Sequence, residues 1–212
     1  MSSKSPRLTE EREAALHELE GKLGYTFSDL YLLDTALTHS SYANEQGPGH
    51  KYNERLEFLG DSVLGLICAK YIYSEFRSLP EGELTKLRAA IVCEGSLYEF
   101  AMQIDLGERL LLGRGERVGG GSKRPSVLAD AVEAVLAAIY LDGGMEAAQG
   151  FILDFIKRKA EEVDFSGYEK KARAEMSCKD PAYRRGNFDA VINGFTEEQA
   201  RNEAKRCLEC GC

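Results

Sequence analysis

The fourteen residues from Val127 to Tyr140 constrain the fold more than any other stretch of this chain. They read Val-Leu-Ala-Asp-Ala-Val-Glu-Ala-Val-Leu-Ala-Ala-Ile-Tyr, which is apolar on every side when wound into a helix. A helix of that kind, spanning Ser126 to Leu141, belongs inside a protein and needs other elements around it. Its only charges are Asp130 and Glu133, three residues apart and so on one face. Two buried carboxylates with no basic neighbour in sequence are costly unless they meet a positive group in space.

A second acidic pair lies in Asn53-Glu54-Arg55-Leu56-Glu57-Phe58-Leu59-Gly60-Asp61-Ser62-Val63-Leu64-Gly65. Leu56, Leu59, Val63 and Ile67 recur at three- and four-residue intervals, so one helical face is built for burial. Glu57 and Asp61 stand four apart beside that face and repel each other, more strongly with partial burial. The plain alternative is an exposed acidic ridge, since most carboxylates stay solvated.

The remaining apolar periodicity predicts further helices. One runs from Thr9, its N-cap, to Leu23, with Gly24 as a stop; the next spans about Ser28 to Thr38. The acidic helix itself continues to Phe76, ahead of Pro80. Helices follow over residues 81–92, 94–103 and 145–163, the last carrying Phe151, Ile152, Phe155 and Ile156. No β-alternation of any length occurs in residues 1–163, which predicts an all-α fold. The glycine-rich stretch 106–121 and the residues after it hold Arg109, Arg114, Arg117, Lys123 and Arg124. No strand precedes it and no P-loop Lys-Ser/Thr pair follows, so it is read as a flexible basic loop, either plainly solvated or, as its position just before the second acidic helix favours, beside a phosphate backbone. His39, at a helix end, is read as structural rather than as a general base.

At 212 residues the chain has room for one good-sized domain and an extension. No apolar run approaches the roughly 18–20 residues that span a bilayer, and the N-terminus lacks a signal-peptide layout, so a cytoplasmic location with no membrane partner is expected. A net charge of −8 argues against a protein that coats nucleic acid non-specifically, though not against local basic clusters. Cys68 and Cys93 sit in apolar stretches and are expected to be core thiols.

The thirteen residues from Asn53 to Gly65, the segment Thr38-His39-Ser40-Ser41-Tyr42-Ala43-Asn44-Glu45, and Asp130-x-x-Glu133-Ala134 together resemble the ribonuclease III family. The resemblance implies a helical endonuclease domain over residues 1–166. It implies cleavage of double-stranded RNA to 5′-phosphate products with short 3′ overhangs, in rRNA or mRNA precursor processing. By the same resemblance Glu57, Asp61, Asp130 and Glu133 are Mg²⁺ ligands, with Mn²⁺ as an alternative ion, and Asp61 and Glu133 are the catalytic members. Four oxygen donors are the hard-ligand set that Mg²⁺ prefers. Glu54, one turn before Glu57, is assigned to the RNA or to the surroundings of the metal. The family acts as a homodimer in which an aromatic matching Phe58 enters the partner subunit; the alternative for Phe58 is the intrachain core. A rival reading is a catalytically silent relative that only binds double-stranded RNA or ribosomes; the presence of all four carboxylates argues against it.

Residues 167–212 are expected to form a short tail, mostly helical or irregular. They lack the strand pattern and basic residues of a double-stranded-RNA-binding domain. Met176, Asp180-Pro181, Arg184, Asn187-Phe188, Gly194 to Ala200 and Glu203 to Cys210 resemble the N-terminal region of the small, NADPH-linked subunit of glutamate synthase. In that family such cysteines begin an iron–sulfur domain, which makes a redox or docking protein the third reading. Cys207, Cys210, Cys212 and Cys178 offer only a partial ligand set near a terminus, so no iron–sulfur cluster is expected. A tail helix is predicted from Thr196 to Cys207.

Overall fold

In the computed structural model, which describes residues 8–163, 176–186 and 192–204, the apolar helix is enclosed as its composition requires. It begins at Pro125, a residue suited to a first helical turn because that N–H has no partner to lose. The helix, α8 (Pro125–Glu162), is broken at Gly144, whose φ of 80° and ψ of −174° are not helical. The gap predicted between a helix ending at Leu141 and one starting at residue 145 is thus a kink between two helical segments. In the first segment Val127, Leu128, Ala131, Val132 and every residue from Ala134 to Ile139 are buried.

The long acidic helix α4 (Glu54–Glu75) is the main partner of α8, and α6 (Glu94–Gln103) is the next. Leu56, Val63 and Ile67 turn inward from α4 as their spacing predicts, Leu59 is only half-buried, and Leu64, Cys68 and Ile72 widen the buried face beyond that set. Gly60 sits where α4 crosses α8. A methyl group there would lie 1.9 Å from the carbonyl oxygen of Glu133, so the two backbones touch. Around this pair lie α1 (Glu10–Leu23), α2 (Leu30–Ala36), α3 (Ser40–Gln46) and α5 (Glu81–Ile91). Thr9 caps α1 by accepting from Arg12 N, and Gly24 ends it in the left-handed region at φ 66°.

α2 is shorter than predicted for a visible reason. Asp142 accepts hydrogen bonds from Ser28 N, Asp29 N and the Tyr25 hydroxyl at 2.8–2.9 Å. Glu20, buried on α1, accepts from Phe27 N at 2.6 Å. Residues 27–29 therefore spend their N–H groups on distant carboxylates, and the helix starts after Asp29, which caps it through Tyr31 N.

The basic stretch read as a flexible loop is ordered. It forms 3-10 turns at Leu106–Arg109 and Gly121–Lys123, with the short helix α7 (Arg114–Val118) between them. Leu111 pairs with the segment before α3: Leu111 N donates to Leu37 O at 2.8 Å, and His39 N donates to Leu111 O at 3.0 Å. Such long-range pairing leaves no periodic trace in a sequence, which is why the stretch resembled a loop.

Residues 1–163 and 164–212 are separate compact units. In the second, α9 (Pro181–Arg184) is capped by Asp180 through Ala182 N at 2.7 Å, and Cys178 forms an isolated bridge with Ile192. Thr196 and Gln199 cap α10 (Glu197–Ala204) reciprocally, each side chain accepting from the other's N–H. Cys207, Cys210 and Cys212 lie outside the described residues, as do Asn187 and Phe188 and the predicted end of the tail helix. Among the described residues the structure is helical apart from two isolated bridges, and no helix is long and apolar enough to cross a membrane.

Candidate metal centre

The crossing of α4 and α8 sets three carboxylates against one another. Glu57 lies one turn before Gly60 on α4, and Glu133 offers the backbone that Gly60 touches, with Asp130 one turn earlier on α8. One carboxylate oxygen from each of Glu57, Asp130 and Glu133 falls within 4.8 Å of the other two. All three residues are half-buried.

Packing acids so tightly shifts their proton affinity. The Glu133 carboxyl is pushed up to about 8, first by burial and then by the charges of Asp61, Asp130 and Glu57. Glu57 is raised by burial, then by Asp130, Glu54 and Asp61. Asp130 is raised by burial and by Glu94, while His39 pulls it the other way. Without a cation, the cluster relieves part of its repulsion through a proton held on Glu133 near neutral pH. Donor oxygens around an octahedral Mg²⁺ stand about 3.0 Å apart when adjacent and about 4.2 Å when opposite, given bonds of ~2.1 Å. Small side-chain adjustments bring this donor set to such spacings, so the residues fit a hard divalent ion.

Three of the four predicted ligands therefore meet. Asp61 is exposed on α4 and stands outside the threesome, although its charge acts on both Glu57 and Glu133. Glu54 is exposed one turn before Glu57 and acts on it in the same way. Glu94, at the start of α6, and His39, which caps α3 through Ser41 N, were not assigned to this centre from sequence. Nothing in their local patterns marks them; only the packing of α3 and α6 brings them near Asp130.

The five predicted phosphate contacts divide. Arg109 pairs with Glu18 while its carbonyl accepts from Arg12, and Arg124 pairs with Glu116 at 2.6 Å. Arg117 donates to Leu112 O at 3.3 Å. Arg114 and Lys123 are exposed, and no acid pairs with their side chains among the described residues. Phe58 is 79% exposed, so it is not part of the intrachain core. Leu66 and Tyr73 on the same helix are also largely exposed.

Against known proteins, the family description Ribonuclease-III-like matches residues 29–160, which contain both acidic helices up to the last turns of α8. Ribonuclease 3 of Geobacillus sp. (strain WCH70) is 50% identical over 161 residues, covering 76% of this chain and 65% of the relative. Ribonuclease 3 of Caldanaerobacter subterraneus subsp. tengcongensis is 54% identical over 145 residues, covering 68% of this chain and 64% of the relative. The chain thus spans slightly less than two thirds of the length of these relatives. A solved nuclease domain of ribonuclease III from Campylobacter jejuni, noted for structural flexibility in a region involved in dimer formation, superposes with a TM-score of 0.63 at 42% identity. That match covers 68% of this chain and 97% of the solved domain. With its fold, its paired acidic helices and these likenesses in agreement, the chain belongs to the ribonuclease III family.

Proposed function

We propose that this chain is a divalent-metal-dependent endoribonuclease that hydrolyses double-stranded RNA as a homodimer. The observation that carries this reading is the convergence of Glu57, Asp130 and Glu133 at a backbone-to-backbone helix crossing, in a chain of this family. Mg²⁺, or Mn²⁺ in its place, would be held by these three, with Asp61 drawn in from the rim. A divalent ion in such a site activates water and polarises a phosphate oxygen. The chain's own acids set the conditions. Glu133 must release its proton before it can hold a cation, and the apolar walls of α8 keep bulk water from competing. Arg114 and Lys123 contact the RNA backbone, with Arg117, Arg109 and Arg124 contributing after exchanging their internal partners.

The exposed row Phe58, Leu66 and Tyr73 on α4 is the proposed contact with a second copy. A groove of about 410 Å³ lined by Leu66, Ala69, Ile72, Tyr73 and Leu84 offers a seat for the partner's aromatic. Two sites in such a dimer would cut opposite strands and leave 5′-phosphates with short 3′ overhangs. Precursors of rRNA or mRNA are the proposed substrates. A cluster on the tail cysteines is no part of this reading.

The test is a long duplex RNA incubated with the purified chain, with and without Mg²⁺, with product ends mapped. Mg²⁺-dependent cutting of both strands is the expected result. Tight duplex binding with no cleavage in Mg²⁺ or Mn²⁺ would instead indicate the silent relative.

A further inference from the structure

The segment from Leu37 to Glu45 is bonded on one side to the acidic helix and on the other to the basic turn. Thr38 O accepts from Asn53 N at 2.9 Å, at the very start of α4. Asn53 is itself buried. On the opposite side, Leu37 and His39 pair with Leu111 through two backbone hydrogen bonds. Ser41 Oγ then accepts from Gly113 N at 2.9 Å, and Glu45 Oε1 accepts from Arg114 N at 2.7 Å. These are N–H groups at the entrance of α7, which a helix start leaves without internal partners.

The fit around Gly113 is close. A Cβ there would lie 2.7 Å from Glu45 Oε1 and 2.8 Å from Ser41 O, so the turn is pressed against α3. His39 completes the arrangement. Its Nδ1 accepts from Ser41 N at 3.2 Å and lies 2.8 Å from Ser41 Oγ, which leaves the proton of the neutral ring on Nε2. The ring lies close enough to Asp130 to influence that carboxylate electrostatically.

We propose that residues 38–45 form a bracket that holds the basic turn 111–118 in register with the carboxylate centre, with Ser41 and Glu45 as its positioning residues. The inference rests on the endoribonuclease reading and adds to it a part that touches neither metal nor RNA. Glu45 acts by accepting a backbone N–H, so its carbonyl-type oxygen matters more than its charge. With the bracket intact, Arg114 and Arg117 grip the duplex at one fixed distance from Glu57, Asp130 and Glu133. With it loosened, the arginines still grip, but the scissile phosphate no longer settles at the acids.

The variants are Ser41→Ala, Ser41→Thr, Glu45→Ala and Glu45→Gln in the full chain. Duplex affinity, single-turnover cleavage at saturating RNA, product ends, the Mg²⁺-induced rise in Tm and amide exchange at residues 111–118 are measured on each. The alanine variants should cut about tenfold more slowly at saturating RNA, the rate equivalent of one broken hydrogen bond, and at scattered positions. Their exchange at 111–118 should quicken while the Mg²⁺-induced rise in Tm stays at the unsubstituted value. Ser41→Thr and Glu45→Gln, which keep the accepting oxygen, should restore rate and cutting position. Unchanged rates at saturating RNA, a parallel loss of the Mg²⁺ response, or a Gln variant as slow as the Ala variant would each overturn the bracket. If the unsubstituted chain does not cut RNA at all, the reading of function falls; unaltered exchange at 111–118 in the alanine variants would then refute the bracket on its own.

Discussion

Replacing Gly60 with alanine puts a methyl group 1.9 Å from the Glu133 carbonyl oxygen, where real Cβ atoms do not come closer than 3.0 Å. The obstructing atoms are backbone, so no side chain can rotate away, and α4 must part from α8 by about 1.1 Å. Overpacking of this kind costs about 3 kcal/mol when the obstruction is rigid, at the upper end of the usual range. Alanine's better helix propensity returns about 1 kcal/mol. A net loss of about 2 kcal/mol should lower Tm by roughly 4–8 °C for a domain of this size. The separation also carries Glu57 away from Asp130 and Glu133, and a misplacement near 1 Å costs on the order of 100-fold in rate. The assay is a thermal melt with and without Mg²⁺, together with duplex cleavage. Gly150→Ala is the control, because a methyl group there meets nothing within 4 Å; it should leave Tm unchanged or raise it slightly. A Gly60→Ala protein with the unsubstituted Tm and an intact Mg²⁺ response would refute the claim that backbone contact at this crossing builds the centre.

Glu133→Gln keeps the shape of the side chain and removes its charge, so cleavage should fall by far more than tenfold while duplex binding survives; cleavage above about a tenth of the unsubstituted rate would remove Glu133 from the ligand set. The folded Glu133 carboxyl titrates near 8 against 4.5 in the unfolded chain, so the metal-free protein binds more protons folded than unfolded between those values. Its stability should therefore be greatest below about pH 4.5 as far as this group is concerned, and should fall as pH rises through 8; saturating Mg²⁺ should remove that fall. Melts in EDTA and in Mg²⁺ whose difference does not grow from pH 5 to 9 would contradict the assignment. Neutralising Arg114, Arg117 and Lys123 together should flatten the dependence of log affinity for duplex RNA on log salt, by roughly one charge per substituted residue, and an unchanged slope would place the RNA elsewhere. Deleting residues 168–212 should leave the melting of the first unit and its cleavage rate close to those of the full chain, because residues 1–163 form their own compact unit. Loss of dimer or of activity would make the tail part of the enzyme.

Each acidic helix announced itself locally. The apolar run of α8 demanded enclosure, and the three- and four-residue rhythm of Leu56, Leu59, Val63 and Ile67 put Glu57 and Asp61 beside a buried face. Thr9, Gly24 and the interruption at Gly144 were equally readable, since caps and left-handed turns depend on one or two residues. Likeness to a known family did the rest of that work, linking two pairs of acids separated by some seventy positions into one expected site.

What the chain's own pattern could not carry was any relation between distant positions that depends on exact approach. That Asp61 stays at the rim while Glu57 joins Asp130 and Glu133 follows from where α4 meets α8, and that meeting point is set by one missing methyl group at Gly60. That the basic stretch is pinned rather than loose follows from hydrogen bonds to Leu37, His39, Ser41 and Glu45, about seventy residues upstream. That Arg109 and Arg124 already have acidic partners follows from Glu18 on α1 and Glu116 on α7. Helical periodicity is a property of neighbours along the chain and can be read from them. The identity of a side chain's partner is a property of the packed core, and only the packed core decided it.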